Sequence, residues 1–233
     1  MHLRFLPVVA LLLALLPVRA FAAGTAPAAW DGLVEVEARG LDDAHLAPGA
    51  DFRPYARLLI DRTEVAFHRD WMRRPGERRE LAGLVRDEQA RRILETARTN
   101  FADAFAEVFT RAGYTVVDAP GPDVLRVTPR LTDLYVNAPD VAAPGRARSY
   151  TANAGEATMI LELRDSETNA LLGRLLDRRE TRETVGLQLA NSVGTDADFR
   201  ALFRSWAGVC VRALGSLKAS SPLPATLAPG QTL

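Results

Sequence analysis

Residues 156–181 read EATMILELRDSETNALLGRLLDRRET, two runs able to alternate around a polar centre. Ala157, Met159, Leu161 and Leu163 share one parity, and Glu156, Thr158, Glu162 and Arg164 take the other. A period of two marks a strand with one face buried and one wet. Asp165-Ser166-Glu167-Thr168-Asn169 supplies side chains that bond their own backbone, and Asn169 tolerates a left-handed conformation, so the chain turns there. In the second run Leu172, Arg174, Leu176 and Arg178 alternate with Leu171, Gly173, Leu175 and Asp177. Apolar residues fall on both parities, as in a central strand packed by a helix on one side and partly covered on the other. The alternating charges of Asp177-Arg178-Arg179-Glu180 are expected to form cross-strand pairs on the wet face.

Working outward, two helical blocks flank this hairpin. In residues 81–112, Leu94, Ala97, Phe101, Ala104, Phe105, Val108 and Phe109 form an i, i+3, i+4 stripe, and Gly113 is placed to cap the C-terminus. Thr195-x-x-Asp198 resembles a capping box, opening a last helix with Phe199, Leu202, Phe203, Trp206, Val209, Cys210, Ala213, Leu214 and Leu217 on one stripe. Tyr55–His68 reads as a first long strand that puts Asp61 and Glu64 on opposite faces. Residues 114–117 and 124–136 read as further strands. Pro129 lacks a ladder donor and marks the latter as an edge or bulged strand.

The expected fold is therefore α+β: one domain over residues 51–217, a mostly antiparallel sheet of four to five strands, and two main helices on one face. Residues 23–50, rich in Ala, Gly and Asp, are expected to be a flexible arm with Trp30 docked on the surface, and residues 218–233 a disordered tail.

Residues 1–22 have the parts of a signal peptide: His2 and Arg4, an apolar core from Leu6 to Val18, and an Ala20-Phe21-Ala22 site. Cleavage near Ala22 predicts a periplasmic product with no integral membrane segment. No cysteine follows the apolar run, so a lipobox is excluded. The chain of 233 residues carries 29 basic and 29 acidic side chains. Removing Arg4 and Arg19 with the leader leaves 27 against 29, a balance that gives no long-range pull toward nucleic acid.

Cys210 is the lone cysteine and lies on an apolar stripe, where it acts as a small hydrophobe; no disulfide is available. His45 and His68 are the only histidines after processing, which removes the common multi-histidine metal sites, and no cofactor is predicted. His68 with Asp70 reads as surface rather than the start of a metal site, and the arginine-rich stretch 69–79 as a charge-balanced connection. Nucleophile-elbow, phosphate-loop, zincin and dinucleotide motifs are missing. Two connections, 137–155 and 184–195, are long and without period, and long unstructured loops tend to carry function. Tyr135, Asn137, Arg146, Arg148, Tyr150, Leu187, Gln188 and Asn191 are the candidate interaction residues on them or beside them.

Several pieces in order resemble a known family: ADFRPYARLLIDRTEVAFH, then VVDAPGPDVLRVTPRLTDL, the 156–180 hairpin, and FRALFRSWAGVCVRAL. They are similar to the bacterial domain-of-unknown-function family 3313, envelope proteins often read as lipoproteins. The resemblance spans about Trp30 to Leu217 and implies a fold and an envelope address, but no catalytic residues. The functional expectation is a non-catalytic binding or assembly module contacting envelope proteins through the 124–136 edge and the two loops. The alternative is an enzyme working on envelope glycan or peptide through carboxylates alone.

Overall fold

The computed structural model describes residues 29–68, 81–136, 150–151, 155–180, 188–189 and 192–232. Among these, the strands in chain order are β1 (Ala29–Trp30), β2 (Leu33–Glu37), β3 (Asp43–Leu46), β4 (Arg57–Ile60) and β5 (Glu64–Phe67). After helix α1 (Leu81–Arg111) come β6 (Thr115–Val116), β7 (Val124–Val136), β8 (Tyr150–Thr151), β9 (Gly155–Asp165), β10 (Leu171–Glu180) and β11 (Gln188–Leu189). Helix α2 (Ser192–Ser220) and β12 (Gln231–Thr232) complete the chain.

The 156–181 stretch is the centre of the fold. β9 and β10 pair antiparallel from Leu171↔Arg164 to Glu180↔Glu156. The turn is held by Asp165, whose Oδ1 accepts from the Thr168 amide at 2.7 Å, with Asn169 at φ 59°. β7 extends the sheet beyond β9 and β3 extends it beyond β10. At Gly173 a Cβ would lie 2.8 Å from Leu46 Cδ2 and 3.2 Å from the His45 carbonyl, so glycine lets β3 close against β10. Gly173→Val is expected to cost about 1–3 kcal/mol by overpacking, read as a lower urea midpoint; an unchanged midpoint would show that this approach is not tight.

Three expectations about the sheet are corrected. It has ten strands in the order β1-β2-β3-β10-β9-β7-β4-β6, with β5 also on β7 and β12 on β2, rather than four or five. It is mixed: β4 and β5 run parallel to β7, because α1 crosses over between them. And β7 is central, not an edge. The Asp61 amide donates to the Val127 carbonyl at 2.9 Å, so Val127 turns its polar groups toward β4. Pro129, two residues on, aims its nitrogen the same way, into the gap between β4 and β5 where no ladder donor is needed.

That gap also breaks the long strand expected over 55–68. Ile60 is opposite Val127 and Glu64 opposite Arg130, so four residues of one chain span three of the other. The parity resets, and Asp61 and Glu64 end on the same face rather than opposite ones. Asp61 bonds Arg126 and Thr128, and Glu64 bonds Arg130, all on one parity of β7.

The expected arm and tail are built into the domain. Leu33, Val36, Ala44 and Leu46 are buried, and β2 and β3 are full members of the sheet. After α2, which starts at Ser192 rather than Thr195 and runs to Ser220, Leu223 and Leu227 are buried and β12 pairs parallel with β2. β1 and β12 between them cover the outer edge of β2, which blunts it against unwanted pairing. The region 1–22, with its expected cleavage site, lies outside the described residues, as does the Trp30 side chain.

Both helices pack on one face of the sheet. Leu125, Val127, Leu131, Ala157, Met159, Leu161, Leu163 and Leu175 from that face join Phe101, Phe105 and Phe109 of α1 and Phe203, Trp206 and Leu214 of α2 in one core. The two stripes read from the sequence are those that point inward. At Gly113, φ is 94°, and the Tyr114 amide reaches the Phe109 carbonyl at 3.0 Å, closing α1 with a Schellman motif.

Candidate functional site

The helices lie side by side in the same direction. Arg200 bonds Asn100 at 3.0 Å, Phe203 meets Phe101 with ring centroids 5.4 Å apart, and Arg204 bonds Glu107 at 3.2 Å. Arg98 reaches the Thr63 carbonyl at 2.9 Å, so α1 runs back along β4 and β5 and its N-terminus lies toward the end of β5. The end of β7 is there too, since β5 is parallel to it. So are the start of β9 and the end of β10, by their antiparallel pairing. One end of the domain therefore collects the points where the long connections leave or enter: 69–80, 137–149, 152–154 and 181–187.

At this end, two connections singled out from the sequence meet. β8 and β11 pair antiparallel, Gln188 opposite Thr151 and Leu189 opposite Tyr150. This short ribbon continues the β9–β10 hairpin with its register displaced by three residues. Tyr150 and Gln188 thus lie in one ladder. Tyr135 is near the end of β7 opposite Glu156, just past a bulge at Asp133, whose φ is 53°. Bulges recur where a strand must be redirected. Asn137, Arg146, Arg148, Leu187 and Asn191 lie outside the described residues.

The face of the sheet turned away from the helices carries the charged parity. Glu162 Oε1 accepts from Arg174 Nη2 at 2.8 Å, and its Oε2 accepts from Arg164 Nη2 at 2.9 Å. Arg174 Nη2 also reaches Asp31 at 3.0 Å, tying the β1–β2 turn to the sheet. Burial pushes the Glu162 carboxyl up, but the Arg174 and Arg164 hydrogen bonds outweigh it and hold it below the usual range. Asp61 behaves alike: burial raises it, and Arg126 at 2.8 Å with Thr128 at 2.6 Å bring it below normal. Carboxylates so held stay ionised, the reverse of what a general acid needs.

Asp177 was missed. It faces the helices, not the wet side, because pairing places it in line with Leu175 and opposite Met159. It is only 3% exposed and accepts Trp206 Nε1–H at 2.6 Å and Arg179 Nε–H at 2.6 Å. Burial raises its carboxyl above the usual range despite these partners. The sequence signal was present: Trp206 on the inward stripe of α2 needs an acceptor for its indole N–H.

Between sheet and helices, Leu58, Phe109, Leu125, Val127, Leu161 and Cys210 contribute to an apolar cavity of about 20 Å³. Small-molecule sites need about 300–1,000 Å³, so it is a packing void. Burial pushes the Cys210 thiol up to about 12, so it stays protonated and inert. Among the described residues no three His, Cys, Asp or Glu side chains gather to hold a metal, and no helix is long and apolar enough to cross a membrane.

These features define an α+β domain with helices on one face, a charge-paired ladder on the other, and a ribbon-bearing end. The chain belongs to the family described as protein of unknown function DUF3313, whose model matches residues 25–209. No curated protein sequence matches it. Solved structures with some likeness include a PelC dodecamer from Paraburkholderia phytofirmans, 9% identical, with TM-score 0.34, covering 78% of this chain and 98% of that one. A DUF330 protein from Xanthomonas campestris is 10% identical, with TM-score 0.38, covering 75% and 91% respectively.

Proposed function

We propose that this chain is an exported, periplasmic envelope protein that acts as a binding or assembly module through contacts with other envelope proteins. The observation that carries the reading is the ribbon end: β8 and β11, from two connections marked as candidate contact segments, pair with each other where the other long connections also leave the sheet. The leader-like residues 1–22 support the address. β7 has no part in this reading, because both its sides are taken by other strands. Among the described residues, Asp61 and Glu162 are held ionised by arginines and Asp177 is buried, which lends no support to the carboxylate-enzyme alternative.

The test is site-specific photo-cross-linking in the intact envelope, with the reactive group at Tyr150 or Gln188, against a control at exposed Arg212. One reproducible protein adduct is expected from the ribbon positions and not from the control, and Tyr135→Ala with Arg146→Ala should reduce its yield several-fold in folded protein. Equal capture from all positions, or glycan fragments in place of protein, would overturn the reading.

A further inference from the structure

Register sets four residues in line across the sheet face turned away from the helices: Arg130 on β7, Ile160 on β9, Leu176 on β10 and Asp43 on β3. Ile160 and Leu176 are directly opposite each other and half-buried, and neither belongs to the core that the helices cover. Two large aliphatic side chains together on a charged face form an apolar centre with a polar rim, the anatomy of a contact surface. Toward the β9–β10 turn the patch is bounded by the Glu162–Arg174 pair, which Asp31 of the β1–β2 turn also joins. On the other side lie Thr132, Thr158 and exposed Arg178. The two ends of the row differ in sign, Arg130 basic and Asp43 acidic. Its order is base, apolar, apolar, acid, which is complementary to itself reversed.

We infer that this row docks a second copy of the chain, face to face, about a two-fold axis parallel to the strands and midway between β9 and β10. Such an axis lays β9 over β10 of the second copy and β7 over its β3. Ile160 then meets Leu176 of the second copy and Arg130 meets its Asp43, each contact made twice, as an isologous pair requires. Aligned strands are an ordinary way for two sheets to pack. An unrelated partner would have to present the same order in reverse, whereas a copy has it by symmetry. Arg130 already bonds Glu64 at 3.0 Å, but that pair is exposed and weak, so the guanidinium can serve both carboxylates. Glu64 beyond β7 and Glu37 beyond β3 come opposite each other at the outer rim, where solvent screens them and they limit affinity. Strand and residue spacings make the patch about 19 Å wide and about 14 Å deep. That is well below the about 800 Å² per partner of a stable complex, so the dimer is weak and depends on concentration.

The experiment is sedimentation equilibrium of the mature chain at up to about 1 mM, where a monomer–dimer equilibrium is expected. Arg130→Asp and Asp43→Arg should each weaken self-association by at least about tenfold, because each sets like charge against like at both contacts. An equimolar mixture of the two variants should associate again to within a few-fold of wild type, since both contacts then join an acid to a base. That recovery also requires both variants to be folded. Ile160→Lys gives a second reading: a charge at the centre of the patch, outside the core, should abolish the dimer. Wild-type protein that stays monomeric would overturn the inference. So would single reversals that leave association unchanged, a mixture no better associated than its components, or a dimer that survives Ile160→Lys.

Discussion

Arg174→Met is expected to destabilise the folded domain by about 3–5 kcal/mol, the cost of removing one partner of a buried ion pair. Arg174 is 6% exposed and its guanidinium holds Glu162 Oε1 through Nε at 3.2 Å and Nη2 at 2.8 Å. Without it, Glu162 keeps Arg164 on its other oxygen, and one carboxylate oxygen is left in a site closed to water. The tether to Asp31 is lost as well, so the β1–β2 turn should loosen with the sheet. The size of the effect comes from the stranded charge rather than from the strength of the bond. Glu162→Gln combined with Arg174→Met should therefore recover much of the loss, because no buried carboxylate is then stranded and the Arg164 guanidinium left behind is partly exposed to water. Urea unfolding of the two single variants and the double variant makes the comparison. A single-variant loss under about 1 kcal/mol, the range of exposed pairs, would mean that this pair is solvated in solution.

Phe203→Ala should cost a similar amount, about 3–5 kcal/mol, for a different reason. Its ring is fully buried where the two helices meet, edge-on to Phe101 at 5.4 Å, beside Phe199 at 5.8 Å and Trp206 at 5.9 Å. Truncation removes apolar burial and leaves a cavity where α1 and α2 meet. Arg204→Ala, the next residue along the helix, is the matched control. Its ion pair with Glu107 is about half exposed, and its loss should be within about 1 kcal/mol. Thermal or urea unfolding of the pair decides whether helix docking rests on the aromatic contact, and similar losses for both would count against it.

Reading outward from residues 156–181, the sequence made the hairpin, both inward helix stripes and the Gly113 cap legible, because each depends on neighbours within a few positions. The same holds for the two long connections, recognisable by their lack of period. That they meet in one ladder depends on where β9 and β10 end in space, and spacing along the chain carries no such information.

Local pattern alone sets which residues share a face: the apolar parity of 157–163, the stripes of α1 and α2, and the inert setting of Cys210. What each face meets depends on pairing and packing between distant segments. A period of two looks the same on an edge strand and a central one, so the place of β7 waited on its pairing with β9, β4 and β5. Pro129 is tolerated there because a neighbouring strand breaks at 61–63, a compensation more than sixty positions away in the chain. Asp177 turned inward because its strand had apolar residues on both parities, and register with β9 chose between them. Segments 23–50 and 221–232 look featureless alone, since two- to five-residue strands gain their stability from a sheet that already exists.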